Sequence, residues 1–295
     1  MPVLAGCAGD LPGRGGAPAA QPATVAPRET AVSGARFALP DIGIVFLRQA
    51  DAAPARQLDL VIHFHGAADV VEREAAAAGL QAAFVVVNYP GLSKAYERPF
   101  SDPALFERLL METLGELQRR GLAAPDAGWR RVALSSFSAG FGAVRAILRQ
   151  PEHDARIDAL YLADTLYAGY AAGRDGVRRP DPEHMAPFRR FAAEAAAGRK
   201  IMLITHSYLA PGSYAGTHKT ADDLIEHVGA ARTATDEAGP GGLQVVSRTS
   251  LGRFEVRGCA GTTGADHMAH LRNLRYGYAR LRQLWDGDPR PSGSW

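Results

Sequence analysis

The sequence contains little lysine, little cysteine and no long apolar run. Three of its 33 basic residues are lysines, the net charge is +2, and basic and acidic residues are spread along the whole chain. This distribution excludes the basic stripe typical of nucleic-acid binding. The two cysteines, Cys7 and Cys259, stand too far apart to indicate a disulfide framework. No stretch of about 18 apolar residues occurs, so no transmembrane helix is predicted.

The first 34 residues differ in composition from the rest of the chain. Residues 8–34 are rich in Gly, Pro, Ala and Thr and poor in large apolar side chains, which predicts a disordered tether over residues 1–34. The run from Leu4 to Cys7 resembles a bacterial lipobox, in which the cysteine is lipidated, although only three residues precede it. A lipid anchor on Cys7 would place the protein at the bacterial envelope or periplasm. A plain disordered N-terminus would leave it in the cytoplasm.

Residues 35–290 alternate between strand-like and helix-like patterns, with no second linker and no repeat. Short apolar runs bounded by polar residues indicate buried strands, and apolar residues spaced by three and four indicate helices. The pattern predicts strands near residues 37–47, 58–64, 82–88, 132–137, 157–163, 201–204 and 254–259, and helices near residues 69–79, 103–117, 182–197, 220–231 and 268–285. The fold class is therefore α/β, with a mostly parallel central sheet flanked by helices on both faces. Functional groups in such a sheet gather at the carboxyl ends of its strands.

Ser138 stands between a strand and a helix, inside a cluster of small residues. Its surroundings, Ser136-Phe137-Ser138-Ala139-Gly140, differ by one residue from the Gly-x-Ser-x-Gly nucleophile elbow. Small residues two positions before and after the serine allow a strained turn to pass close to neighbouring backbone. Ser138 is therefore the predicted nucleophile, and an ordinary connection between a strand and a helix is the alternative.

A serine nucleophile needs a base, for which histidine is best suited, and an acid that orients the base. His267 follows the last strand and is the predicted base, with His270 as its competitor one helical turn later. Asp164 directly follows an apolar strand, where an unpaired carboxylate would be costly, and is the predicted acid. Asp222 is the second choice. Asp266 is expected to be a carboxylate at a helix N-terminus.

The order of these residues resembles the α/β-hydrolase-fold serine hydrolases, over residues 35–290. The resemblance implies a triad of Ser138, Asp164 and His267 that cleaves a small-molecule or polymer-linked carboxylic ester, or an amide, without metal or cofactor. It also implies an oxyanion hole formed by the backbone N–H groups of Ala67, after His65-Gly66, and Ala139. Two departures from the pattern stand out: a serine at position 136, and an acid that arrives one strand early.

Three further side chains are predicted to bind substrate. His206 and Tyr208 open a long polar and aromatic loop, residues 206–218, at a strand end, where a surface loop is the alternative. His65 is placed beside the predicted oxyanion loop.

Two other functions remain open. His63 and His65, two apart on a strand, could hold zinc in a metal-dependent hydrolase. A non-catalytic, envelope-tethered binding module with the same fold is the third possibility.

Overall fold

The computed structural model describes residues 34–48, 54–172 and 176–287. The strands in these ranges are β1 (Gly34–Leu39), β2 (Gly43–Arg48), β3 (Ala55–Phe64), β4 (Ala83–Val87), β5 (Ala123–Phe137), β6 (Ala159–Ala163), β7 (Tyr170–Ala172), β8 (Arg178–Pro180), β9 (Ile201–His206), β10 (Thr233–Ala238), β11 (Gln244–Leu251) and β12 (Phe254–Cys259). The helices there are α1 (Ala68–Ala78), α2 (Ser93–Phe100), α3 (Pro103–Arg119), α4 (Phe141–Leu148), α5 (Pro151–Arg156), α6 (Pro182–Ala196), α7 (Thr217–His227), α8 (Gly264–Arg272) and α9 (Arg275–Asp286).

Ten of the described strands form one sheet in the order β1-β2-β4-β3-β5-β6-β9-β12-β11-β10. The six central strands, from β4 to β12, pair in parallel, and the outer strands at both edges pair antiparallel. Strands β7 and β8 form a separate small hairpin. This arrangement confirms the predicted α/β class with a mostly parallel central sheet.

Helices cover both faces of the sheet because its central strands are apolar on both sides. In β3, Leu60 and Ile62 pack into one cluster with side chains of α2, α3, α4, α6 and α7. Val61, between them, packs into a second cluster with α1, α8 and α9. Alternate residues of a strand point to opposite faces, so a continuous apolar run is what a doubly covered strand requires.

Several predicted element boundaries are wrong. The single final helix expected over residues 268–285 is two helices, because Asn273 leaves helical geometry at φ −126° and its side-chain amide donates to the Ala269 carbonyl. Such side-chain bonds compete with the helix backbone. Asp69 lies in the first turn of α1, whose N-cap is Ala67. Helix α2 was not predicted, and its Pro99 explains why.

The predicted tether lies outside the described residues, apart from Gly34, which begins β1. The lipobox expectation for Cys7 likewise falls outside the described ranges. Among the helices that the structure describes, none has both the length and the apolar character needed to cross a membrane.

Candidate active site

Three strands that lie next to one another in the sheet end in residues with left-handed backbone. His65 follows β3 with φ 68°, Ser138 follows β5 with φ 48°, and Asp164 follows β6 with φ 46°. Non-glycine residues rarely adopt this conformation, which costs of order 1–3 kcal/mol for each residue. Within the described ranges Asp41 is the one other example. Backbone strain is therefore concentrated at the carboxyl edge of the parallel strands.

Ser138 begins a 3₁₀ turn, Ser138–Gly140, between β5 and α4. A Cβ atom at Gly140 would lie 2.1 Å from the carbonyl oxygen of Phe64, so only glycine lets this turn approach β3. Ser136, which stands where the elbow pattern has its first glycine, is fully buried between the neighbouring strands. Its small side chain fits there. The local geometry is the strained strand-to-helix turn that the elbow pattern predicts.

Asp164 and His267 meet at this edge. The Nδ1–H of His267 donates to Oδ2 of Asp164 at 2.7 Å. Asp164 is fully buried and accepts three further bonds: from the backbone N–H of Ser207 at 2.8 Å, from the Ser207 hydroxyl at 2.8 Å, and from the Thr217 hydroxyl. Every face of this carboxylate therefore has a donor, as a buried charge requires.

These donors keep the Asp164 carboxylate ionised. Burial acts to raise the pKa of Asp164, but the hydrogen bond from His267, the charge of His270 and the bonds from Thr217 and Ser207 outweigh it. The net result is a pKa well below the usual range. An ionised acceptor opposite Nδ1 fixes the proton there and leaves Nε2 of His267 as the basic nitrogen.

The competing acid and base candidates lie elsewhere. Asp222 is exposed and forms an ion pair with Arg232. Asp266 forms a capping box with Thr263, in agreement with the helix-terminal role expected for it. His270 is buried, 1% exposed, and does not line the cavity that holds Ser138 and His267.

Two neighbours of the predicted triad residues contact the site from within. The ring of Phe137, the residue before Ser138, stacks on the His267 imidazole at 4.5 Å and 25°, and on the His65 imidazole at 6.2 Å and 17°. The hydroxyl of Thr165, the residue after Asp164, donates to the carbonyl of Ser138 at 2.7 Å. These contacts support the plane of the His267 ring and the strained turn at Ser138.

The loop after β3 leaves one backbone donor unengaged. The N–H of His65 donates to the Val87 carbonyl at 3.0 Å, and the N–H of Gly66 donates to the side-chain oxygen of Asn88 at 2.9 Å. The Asn88 amide donates back to the Gly66 carbonyl. No acceptor for the next N–H, that of Ala67 at the start of α1, occurs among the described residues. A helix N-terminus also attracts negative charge.

A zinc site at His63 and His65 was predicted on the assumption that both imidazoles point to one face of a strand. This assumption is wrong. Strand β3 ends before His65, whose backbone turns away. The Nε2–H of His63 donates to the His65 carbonyl at 3.1 Å, and its Nδ1 lies 2.9 Å from the Ser135 hydroxyl and 3.0 Å from that of Tyr278. The Nδ1 of His65 lies 2.8 Å from the Tyr96 hydroxyl. Both imidazoles are engaged in bracing the loop after β3.

Ser138, Ala139 and His267 line one cavity of about 480 Å³. Its walls are largely apolar and aromatic, formed by Leu92, Phe141, Tyr167, Leu209 and Tyr214. Leu92 is 81% exposed and Tyr214 is 44% exposed, so the mouth of the cavity is an apolar rim open to solvent.

The predicted substrate-binding side chains do not reach this cavity. His206 is fully buried, and burial lowers its pKa to about 4. The Tyr208 ring packs edge-on against His206, 5.2 Å between centroids, and the half-buried His65 braces its own loop. The loop itself does line the cavity, but through Leu209 and Tyr214. The loop predicted to face substrate therefore lines the cavity through side chains other than the predicted ones.

Three charged side chains and one histidine of the cavity were missed. Lys94 and Glu97 come from α2, His184 from α6 and Arg145 from α4. The signal for Arg145 was present: it is the single charge in the apolar stretch of α4, the helix that begins three residues after Ser138.

No family model matches the chain, and a search of curated proteins found no match. Similar solved structures include the siderophore hydrolase EstB from Aspergillus nidulans, 15% identical over 92% of this chain and 99% of its own, with a TM-score of 0.47. Est1E from Butyrivibrio proteoclasticus is 9% identical over 87% and 100%, with a TM-score of 0.41. The carboxylesterase CesB from Bacillus subtilis is 13% identical over 87% and 93%, with a TM-score of 0.43.

The strand order and the helices on both faces identify the fold of this chain. Parallel strands in the order β4-β3-β5-β6-β9-β12, with a serine elbow after β5 and helices on both faces, form the α/β-hydrolase fold. Asp164, the predicted acid, follows β6, one strand earlier than the resemblance implies.

Proposed function

We propose that the protein is a serine hydrolase that cleaves carboxylic esters through Ser138, His267 and Asp164. The observation that carries the proposal is the 2.7 Å bond from His267 to a fully buried, ionised Asp164, on an imidazole that lines the same cavity as Ser138. A histidine oriented in this way and a serine in a strained elbow are the two parts that nucleophilic acyl transfer requires.

The proposed reaction runs through an acyl-enzyme. Ser138 Oγ attacks the ester carbonyl while Nε2 of His267 takes its proton. The backbone N–H groups of Ala139 and Ala67 donate to the oxyanion, and each such donor is typically worth about 3 kcal/mol in the transition state. His267 then gives the proton to the departing alkoxide. Water, activated by the same imidazole, releases the acid and restores Ser138. Asp164 positions His267 and stabilises its charged form.

An ester is proposed rather than an amide because an alkoxide leaves more easily than an amine. The exposed apolar rim and the cavity volume of about 480 Å³ suit a small-molecule ester or the end of a polymer-linked one.

The test is covalent labelling with a fluorophosphonate, together with turnover of 4-nitrophenyl esters. We expect one label on Ser138, turnover that is insensitive to chelators, and a loss in Ser138→Ala on the order of 10⁶ in kcat. Ser101→Ala, on a hydroxyl that caps the end of α2, is the control and should keep full activity.

Ser138→Ala activity within tenfold of the wild type, with circular dichroism unchanged, would overturn the mechanism. Chelator-sensitive turnover would support a metal-dependent hydrolase. Absence of both label and turnover would support a binding module.

A further inference from the structure

Arg145 is a buried cation on the wall of the cavity that holds Ser138. It is 5% exposed, and one Nη–H donates to the Tyr167 carbonyl at 2.8 Å. Its Nε is buried without a hydrogen-bond partner. The guanidinium carbon lies 4.8 Å from the centroid of the Phe141 ring. One neutral carbonyl and one aromatic face replace little of the hydration that a guanidinium loses on burial.

No carboxylate among the described residues forms an ion pair with Arg145. Glu97 and Asp181 act on Arg145 only through their charge at a distance. Glu97 is itself bound by Arg149, at 2.9 Å. Burial is the largest influence and lowers the pKa of Arg145 to about 10, while Glu97 and Asp181 raise it and Arg149 lowers it further. The guanidinium therefore keeps its charge at neutral pH.

The position of Arg145 suits contact with a substrate held at Ser138. Ser138, Phe141 and Arg145 all line the cavity. Phe141 is the first residue of α4, and Arg145 lies one turn later on the same helix face. Helix side chains lean toward the N-terminus, and the Arg145 guanidinium packs against the Phe141 ring, at the end of α4 that follows the Ser138 turn.

The remaining polar groups of the cavity favour an anion. Lys94 is an exposed cation that lines the same cavity. The charge of Glu97 is offset by Arg149, which does not line the cavity. His184 accepts the N–H of Gly169 at its Nδ1, at 3.0 Å, so a neutral ring carries its proton on Nε2 as a further donor.

We propose, on the basis of the hydrolase function proposed above, that the preferred substrates are esters that also carry a carboxylate, which Arg145 binds while Ser138 attacks the ester carbonyl. The planar fork of a guanidinium matches a carboxylate, and the bond is strengthened by the charge on both partners. The carboxylate would replace part of the hydration that the guanidinium loses on burial. The apolar walls between Ser138 and the rim would contact the chain that joins the two groups.

The experiment compares matched pairs of esters. One series uses mono-4-nitrophenyl esters of adipic and suberic acids against the 4-nitrophenyl esters of the corresponding half-amides, which are neutral and of nearly equal size. A second series places the carboxylate on the alcohol side, with 4-acetoxyphenylacetate against its amide. We expect kcat/KM to be about 10–100-fold higher for the anionic member in at least one series, the range given by a charged hydrogen bond.

Three variants assign the preference to Arg145. Arg145→Met removes the charge at similar length and should abolish the preference, lowering kcat/KM for the anionic esters about 10–100-fold and that for the neutral esters by less than about threefold. Arg145→Lys should retain part of it. Arg199→Met is the matched control, because Arg199 is an exposed residue that pairs with Glu194 away from the cavity, and should leave the preference unchanged.

Equal kcat/KM for charged and neutral esters, or an equal loss of both in Arg145→Met, would overturn this inference and assign Arg145 a structural role. Ser138 would still be labelled in that case, so the proposed hydrolase function would stand. If neither label nor turnover occurs, the hydrolase function itself fails. Should Arg145→Met not fold, calorimetry on Ser138→Ala decides: binding of the half-amide of suberic acid without binding of the diamide supports the inference, and equal affinity overturns it.

Discussion

Asp164 and Arg145 are buried groups of opposite charge at the candidate site, and their surroundings differ. Asp164 is bound by His267, Ser207 and Thr217, which together satisfy both of its oxygens. Arg145 has one backbone carbonyl as its partner and a buried Nε with none. A buried charge whose hydrogen bonds are satisfied can hold other groups in place, whereas one that lacks partners is suited to a ligand. In the proposals above, Asp164 accordingly has a positioning role and Arg145 a recognition role.

The largest expected effect comes from changing Asp164. Asp164→Asn keeps the shape but places an amide against His267, which favours the wrong imidazole tautomer. We expect kcat to fall on the order of 10⁴-fold for neutral and anionic esters alike. This equal loss is the opposite of the selective loss expected for Arg145→Met. Steady-state kinetics on both ester series measures the two patterns.

Asp222→Asn is the matched control for this prediction, because Asp222 is exposed and pairs with Arg232. Its kcat should stay within about twofold of the wild type, as exposed ion pairs contribute little. A greater loss in Asp222→Asn than in Asp164→Asn would show that the acid has been assigned to the wrong residue.

A second expected effect is a loss of stability in acid. It is caused by His206, whose neighbour Ser207 is bound to Asp164. Next to Ser207, the His206 imidazole donates to the Ser207 carbonyl and accepts from Arg232, each at 3.0 Å. Burial lowers the pKa of His206 from 6.5 to about 4. At pH values between these two, His206 is protonated in the unfolded chain and neutral in the folded protein. The free energy of unfolding therefore falls as pH drops, by up to about 1.4 kcal/mol per pH unit.

Urea unfolding at pH 7.5, 5.5 and 4.5 measures this dependence. His206→Gln should weaken it, and Arg145→Met should leave it unchanged. Part of the dependence should remain in His206→Gln because burial also lowers the pKa of His63, to about 3. Identical pH dependence in His206→Gln and the wild type would contradict the prediction.

The smallest expected effect is the loss of one donor to Asp164. Thr217→Val removes the hydroxyl that bonds Oδ1 while keeping the shape, and we expect kcat to fall about tenfold, as one bond to a charged group contributes. Thr217→Ser should restore activity. Thr113→Val is the control, since the Thr113 hydroxyl is also buried but donates to the Leu109 carbonyl within α3. An equal loss in both valine variants would indicate general destabilisation.

The sequence predicts those parts of the fold whose signal is apolar. Strands β4 and β6 are continuous apolar runs, β3 is an apolar run that contains Asp59 and His63, and all three were predicted within a few residues. Strand β10 was missed because none of its side chains is buried, and β11 because two of its three buried residues are Ser247 and Thr249. At an antiparallel edge the backbone pairing forms a strand that hydrophobicity does not mark.

The candidate site likewise has a part that the apolar pattern predicts and a part that it does not. Ser138, Asp164 and His267 were predicted because the first two directly follow apolar strands and His267 lies in the segment after the last strand, and the fold brings these strand ends to one edge. Their roles stay predictions until the variants are measured. The cavity walls were not predictable from strand ends: His206, the last residue of β9, is buried and bonded to Arg232, and Arg145 reaches the cavity from one turn into α4.

The ring of Phe137 stacks on two imidazoles from different parts of the chain, and the next residue is Ser138. A displacement of this ring would therefore act on the His267 imidazole and on the serine turn together. Phe137 does not line the cavity, yet it links two of the residues that do.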